Sequence, residues 1–314
     1  MQKITEHILL FSAAAVLTAV CGCRTAPPVS SRVRYQTLQM LTTAGKIHPE
    51  NPPVPSFEPK GPVRDEQSFG DYTVRIYRKG EASFEILRGG VRVYADRGYY
   101  FRFGSFNEEF KTDSLISIGS DITGDGIPNL VIGEWTGGNH CDFLFQLFEI
   151  GDRFRYIQTI NLRHSELADF RDVDGDDALE LPMNDWIFAY WRTSFIASPA
   201  PRIILKYTGK KYEMAPDLMR KPGFAHDELV TMAIDLQANS SWEGGHPPVD
   251  LWAEMLKLIY TGNMNQAWEL AEMAWPPRIA GEEQFLQDFR SRLAESPFWN
   301  EIRKMNQESA VDRL

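Results

Sequence analysis

Positive charge is scarce in this chain. Lys and Arg number 33 against 43 Asp and Glu, a net charge of −10. A surface that holds phosphates needs the opposite balance, so no nucleic-acid partner is expected. Cysteine is scarcer still, at three in 314 residues, and Cys21 and Cys23 both fall near the start. No disulfide framework is expected, and the fold must stand on an apolar core. The six histidines never fall in the spacing of a zinc ligand set. No Ser–His–Asp order, phosphate loop or dinucleotide fingerprint occurs. Apolar residues, at 43%, and aromatics, at 12%, are plentiful enough for real cores and exclude wholesale disorder. The length suits two ordinary domains, or one with appendages.

The apolar run from Ile8 to Val20 is short for a membrane span and, behind Lys3, suits a signal-peptide core. Val20-Cys21-Gly22-Cys23 follows. This resembles the lipobox of bacterial lipoproteins, in which an aliphatic and a small residue, then Gly or Ala, precede the modified Cys. The resemblance covers the first two dozen residues. It implies a signal peptide over 1–22 and acylation of Cys23, since Val20 before Cys21 makes a poorer cleavage site. Cys141 would then be the only thiol left. Arg24 behind the Cys implies placement at the outer membrane, facing the periplasm or the surface. The lipid bilayer is the first expected partner, and an envelope protein or glycan the second.

Residues 23–68 are dense in proline, from Pro27 to Pro62. They read as a lipidated N-terminus with an extended, semi-rigid tether. From Tyr72 the texture becomes short β-prone runs with turn signals. Thr73–Tyr77, Ser83–Leu87 and Val91–Tyr94 come first, with Gly89-Gly90 as a hairpin turn. Leu130–Trp135, Phe143–Ile150 and Phe154–Ile160 follow, with Gly151-Asp152 between the last two. Arg202–Tyr207, Gly209-Lys210 and Tyr212–Met214 repeat the figure. The result is a degenerate repeat of about three units, where closed propellers usually have at least four. A propeller-like sheet stack, a sandwich and a small barrel all stay open over 69–216.

Beyond Pro216 the spacing is helical. Leu229, Val230, Met232, Ala233 and Leu236 form one face, and Leu251, Met255, Leu258 and Ile259 another, ended by Gly262. Asn263 is placed to cap a helix with Ala267, Leu270, Ala271 and Ala274 on its face. Glu282–Ala294 and a last helix opened by Ser296-Pro297 complete an all-α unit over 217–314. The expected class is multidomain α+β, a β-rich domain followed by a small helical one.

Two acidic turns organise the β-rich part. A hard cation such as calcium takes six to eight oxygens, which a tight loop supplies from alternate residues. In the first turn these are Asp121, Thr123, Asp125, the Ile127 carbonyl and Asn129. In the second they are Asp172, Asp174, Asp176, the Ala178 carbonyl and Glu180. Gly126 and Asp177 hold the sixth place, where a positive φ is expected. Each turn runs into a strand, not a helix. In this the turns resemble the calcium loops of FG-GAP and VCBS repeats, the blades of integrin-α-like propellers, over about 70–215. The resemblance implies structural calcium, with Thr123 and Asn129 departing from the family's ligands. Metal-free Asp/Gly turns would use the same residues.

The loop Glu134–Cys141 is the one constellation that could hold chemistry. Adjacent His140 and Cys141 on an extended chain point to opposite faces, so they form no dyad by themselves. With Trp135, Trp186 and Trp191, Glu134 and His140 make a candidate ligand surface, against core packing as the other account of the aromatics. No catalytic residue is assigned. The expected role is binding or scaffolding at the envelope. The alternative is an envelope-polymer hydrolase using Glu134, His140 or Asp185.

Overall fold

The computed structural model describes residues 57–78, 82–106, 116–138, 142–239, 242 and 247–311. Cys23, the signal-peptide stretch, His140 and Cys141 lie outside these residues. Among the described residues the fold is α+β, with three antiparallel sheets followed by helices, and no sheet closes into a barrel.

The first sheet is a meander of β1 (Val63–Phe69), β2 (Tyr72–Tyr77), β3 (Ala82–Arg88) and β4 (Val91–Gly98). The middle sheet repeats it with β5 (Tyr100–Phe103), β6 (Asn129–Trp135), β7 (Phe143–Ile150) and β8 (Phe154–Arg163). The third has β9 (Leu181–Asn184), β10 (Arg202–Tyr207) and β11 (Tyr212–Met214). An isolated bridge between Arg171 and Glu180 stands where its first strand would begin. Gly89-Gly90, Gly151-Asp152 and Gly209-Lys210 each turn one sheet's last hairpin, as the sequence predicts. β1 was not expected; it lies within the stretch read as tether. Asp65 and Glu66 face water, half-buried Arg64 donates to the Phe101 carbonyl, and the Asp65–Phe69 segment pairs with β2, a protected edge with no apolar alternation.

The middle sheet is buried on both faces, which explains why β6 and β7 read as near-continuous apolar runs. Leu130, Ile132, Phe148 and Ile150 pack on Val74, Ile76, Phe84 and Ile86 of the first sheet. Phe84 meets Phe101 at 4.9 Å and Tyr94 meets Phe148 at 4.8 Å, both edge to face. On the other side Val131, Phe145 and Leu147 join Leu181, Met183, Ile203 and Leu205 of the third sheet. That second cluster continues into the helices.

The helices are the single turn α1 (Pro216–Met219), then α2 (His226–Asn239), α3 (Val249–Ile259), α4 (Met264–Ala274), α5 (Glu282–Leu293) and α6 (Trp299–Val311). Every residue of the faces expected for α3 and α4 is buried. The cap of α4 differs from expectation. Asn263 turns its amide to the carbonyls of Lys221 and Thr261 at 3.0 and 3.2 Å. The Met264 N–H is met by Asn306 Oδ1 of α6 at 2.7 Å instead. No helix among the described residues is long and apolar enough to cross a membrane.

Candidate functional site

The two acidic loops are one motif built twice. In each, the fourth and sixth residues have positive φ: Gly124 at 71° and Gly126 at 79°, Gly175 at 81° and Asp177 at 68°. The first Asp closes the turn on the fourth residue, with Gly124 N–H reaching Asp121 Oδ1 at 2.8 Å and Gly175 N–H reaching Asp172 Oδ1 at 2.6 Å. The fifth position receives the seventh N–H, Ile127 to Asp125 at 2.9 Å and Ala178 to Asp176 at 3.1 Å. The ninth reaches back to the second, with Ile122 N–H to Asn129 Oδ1 and Val173 N–H to Glu180 Oε2, both at 2.8 Å. Such closure explains why short acids at these spacings specify the turn before any ion is considered.

The loops also touch, which their separation in sequence did not reveal. Leu179 N–H donates to the Ile122 carbonyl at 3.0 Å. Tyr212, only 2% exposed, donates its hydroxyl towards both Ile122 O at 2.7 Å and Leu179 O at 3.0 Å. Gly124 lies so close that a Cβ there would stand 2.8 Å from that of Ala178. The paired loops therefore form the joint between the middle and third sheets.

Their charges differ. In the first loop Asp121 is spent on its own backbone: Oδ1 accepts from Thr123 and Gly124, and Oδ2 from Gly126 at 2.7 Å. Thr123 Oγ1 donates within the loop, to Asp121 Oδ1 at 3.1 Å. That set is satisfied as a hydrogen-bonded corner and presents little to an ion. The second loop has the ligand count for a cation. Asp172, Asp174 and Asp176 place one oxygen each within 4.8 Å of one another, with fully buried Glu180 behind them. A cation is already there. Lys206 Nζ of β10 lies 2.6 Å from Asp174 Oδ2, 2.5 Å from Asp176 Oδ2 and 3.3 Å from Glu180 Oε1. The hydrogen bond from Lys206 holds the Asp176 carboxyl below its usual range. Its hydrogen bonds to Asp174 and then to Asp176 push the lysine up.

The candidate ligand surface separates into different places. Glu134 is 2% exposed within the middle sheet, where Gln146 Nε2 stands 3.4 Å from its Oε2. Gln146 also reaches Asp96 at 3.1 Å. Trp135 ends β6 against Tyr99, edge to face at 5.1 Å. Trp191 is half-buried against the core, 5.1 Å from Phe188 and 5.2 Å from Trp252. Asp185 is a buried joint. It accepts from Tyr260 at 2.7 Å, Ser296 at 2.5 Å and Ile187 N–H at 3.0 Å, tying the third sheet to the helices.

Trp186 lines an opening. Its ring stacks on Phe195 at 5.2 Å, meets His164 edge to face at 5.4 Å, and its Nε1 donates to Ser165 at 3.0 Å. A cleft of about 390 Å³ lies beside it, with Arg163, Arg292 and Glu295 on its walls. Tyr190 and Ile196 on the same loop are 54% and 97% exposed. Of the non-glycine residues with positive φ among the described residues, Arg163 lines this cleft and Tyr190 packs on Phe195 at 5.4 Å. Strain of this kind collects at binding and catalytic sites. A larger groove of about 900 Å³ runs from Gly70 and Asp71 past Ile127 to Gly151. Its walls are turns, and Asp71 there is already paired with Arg88 at 2.8 Å. The chain matches no family model, no curated protein and no solved structure.

Proposed function

We propose that this is a lipid-anchored protein of the bacterial envelope, attached through acylated Cys23, with a binding or scaffolding role and no turnover. The observation that supports binding is the Trp186 cleft. There Trp186, stacked on Phe195, lines a cleft with Arg163, whose backbone is left-handed, and with Arg292, itself paired with Glu295; Ile196 of the same loop is exposed. The duplicated loop geometry supports reading the sheets as a short array of the FG-GAP/VCBS kind. Calcium enters this proposal as a ligand of Asp172–Glu180, the loop with the larger carboxylate set. The ligand is proposed to be an envelope protein or glycan, reached from the outer membrane on its periplasmic or surface side. The hydrolase alternative draws no support from Glu134 and Asp185, which are turned into the packing.

Two experiments test the proposal. Growth with labelled palmitate should label the wild type and leave Cys23→Ser unlabelled; equal labelling would remove the anchor. A photo-crosslinking residue at Tyr190 or Ile196, in whole cells, should give discrete adducts. The same residue at Val91, 69% exposed on the first sheet, should give none. Adducts at Val91 alone, or the same adducts at all three, would overturn the binding site.

A further inference from the structure

The middle and third sheets present the same place twice, with opposite charge. Asn129 closes the first loop and stands opposite Glu149 of β7. Glu180 closes the second, and the register from Arg202↔Asn184 to Leu205↔Leu181 continues to Lys206 beside Glu180. Where the first pair is amide and acid, the second is acid and lysine. Glu149 is engaged by Arg155 of its own sheet, so nothing from β7 enters the first loop as a cation.

The second loop needs one. Glu180 is 0% exposed, and a buried carboxylate is costly without a counter-charge. Asp172, Asp174 and Asp176 crowd in front of it and repel one another. An ammonium has three donors; Lys206 donates to Asp174 and Asp176 and stands 3.3 Å from Glu180 Oε1 as its ion-pair partner. These are three of the side chains an incoming ion would use.

We propose that Lys206 Nζ is the resident cation of the Asp172–Glu180 loop. It neutralises the loop from within, so the corner keeps its shape without metal. A divalent ion enters only by displacing the ammonium. The wild-type loop is accordingly a weak calcium site, and the lysine sets that weakness. The first loop has fewer acids and no lysine, and its Asp121 is held by backbone N–H groups instead.

The test uses the full-length chain, wild type against Lys206→Met, each melted in chelator and in millimolar calcium. The variant should melt several degrees lower in chelator and regain most of the loss with calcium. Its calcium affinity by calorimetry should be about tenfold or more above wild type. Wild type should shift little. A Lys206→Met/Glu180→Gln double variant should recover stability in chelator and lose the calcium gain. If Lys206→Met does not fold in chelator, refolding on adding calcium is the supporting result and failure to refold the opposing one. A variant as stable as wild type in chelator, or equal calcium responses in both proteins, would overturn the proposal. These readouts do not depend on Cys23 or on the Trp186 cleft.

Discussion

The hydroxyl of Tyr212 lies 2.7 Å from the carbonyl oxygen of Ile122, ninety residues earlier in the chain. The same hydroxyl is 3.0 Å from the carbonyl of Leu179. One phenol therefore addresses both acidic loops from the last strand of the third sheet. Two turns with exposed tips are thus joined beneath the surface, through buried Ile122, Ala178 and Tyr212.

Tyr212→Phe keeps the ring in place and removes only this donor. Ile122 O keeps the Leu179 N–H, whereas Leu179 O loses the Tyr212 bond. The expected cost is about 1–2 kcal/mol, read from urea unfolding with an unchanged slope. A variant as stable as wild type would mean that the hydroxyl does not hold the joint.

Asp185→Ala addresses the junction of sheet and helices. It strands the hydroxyls of Tyr260 and Ser296, both directed at a buried carboxylate. The loss should be about 3 kcal/mol. Because the same apolar cluster spans both regions, far-ultraviolet ellipticity and tryptophan fluorescence should report one transition. Two separated transitions in the wild type would show that the regions unfold independently.

Alkaline pH should destabilise the fold through its tyrosines. Burial raises Tyr77 and Tyr156 to about 12 and pushes Tyr212 and Tyr260 well above the ordinary range. Asp185 adds to the rise at Tyr260 and Glu180 to that at Tyr212. An unfolded tyrosine releases its proton near about 10. These groups therefore contribute stability that is present below that pH and is lost as pH rises above it. Phenolate absorbance should show an exposed fraction ionising near 10, with the rest appearing only as ellipticity is lost. All eleven tyrosines ionising together near 10 with ellipticity intact would refute this.

Much of the fold was legible because its strands and helices bury regular faces. The apolar runs of β6 and β7, the glycine-marked hairpins and the four-residue spacing in α3 and α4 each follow from local geometry. β1 was hidden because an edge strand with both sides wet needs no apolar alternation. Asn263 holds the N-cap position of α4 as the sequence predicts, but its side chain makes no cap bond because tertiary packing commits its amide to the Lys221 and Thr261 carbonyls. At the candidate site, the loop residues were readable from their spacing, but Lys206 was not. It sits in Arg202–Tyr207 as an ordinary polar position of a strand. Only strand pairing brings it to Glu180. A lysine one step past the register partner of an acidic turn is the signal that could have found it.

The layers are stacked in the order in which the chain supplies them. First sheet, middle sheet, third sheet and helices each rest on the element before. A chain emerging N-terminus first completes the middle sheet while Val131, Phe145, Leu147 and Ile160 still await the strands that cover them. A polypeptide halted after Arg163 would thus be the adhesive species of this protein, and the segment that silences it is Leu181–Met214. Holding back export or folding until that segment is available would be the natural safeguard, and C-terminal truncations should partition into aggregates at that boundary.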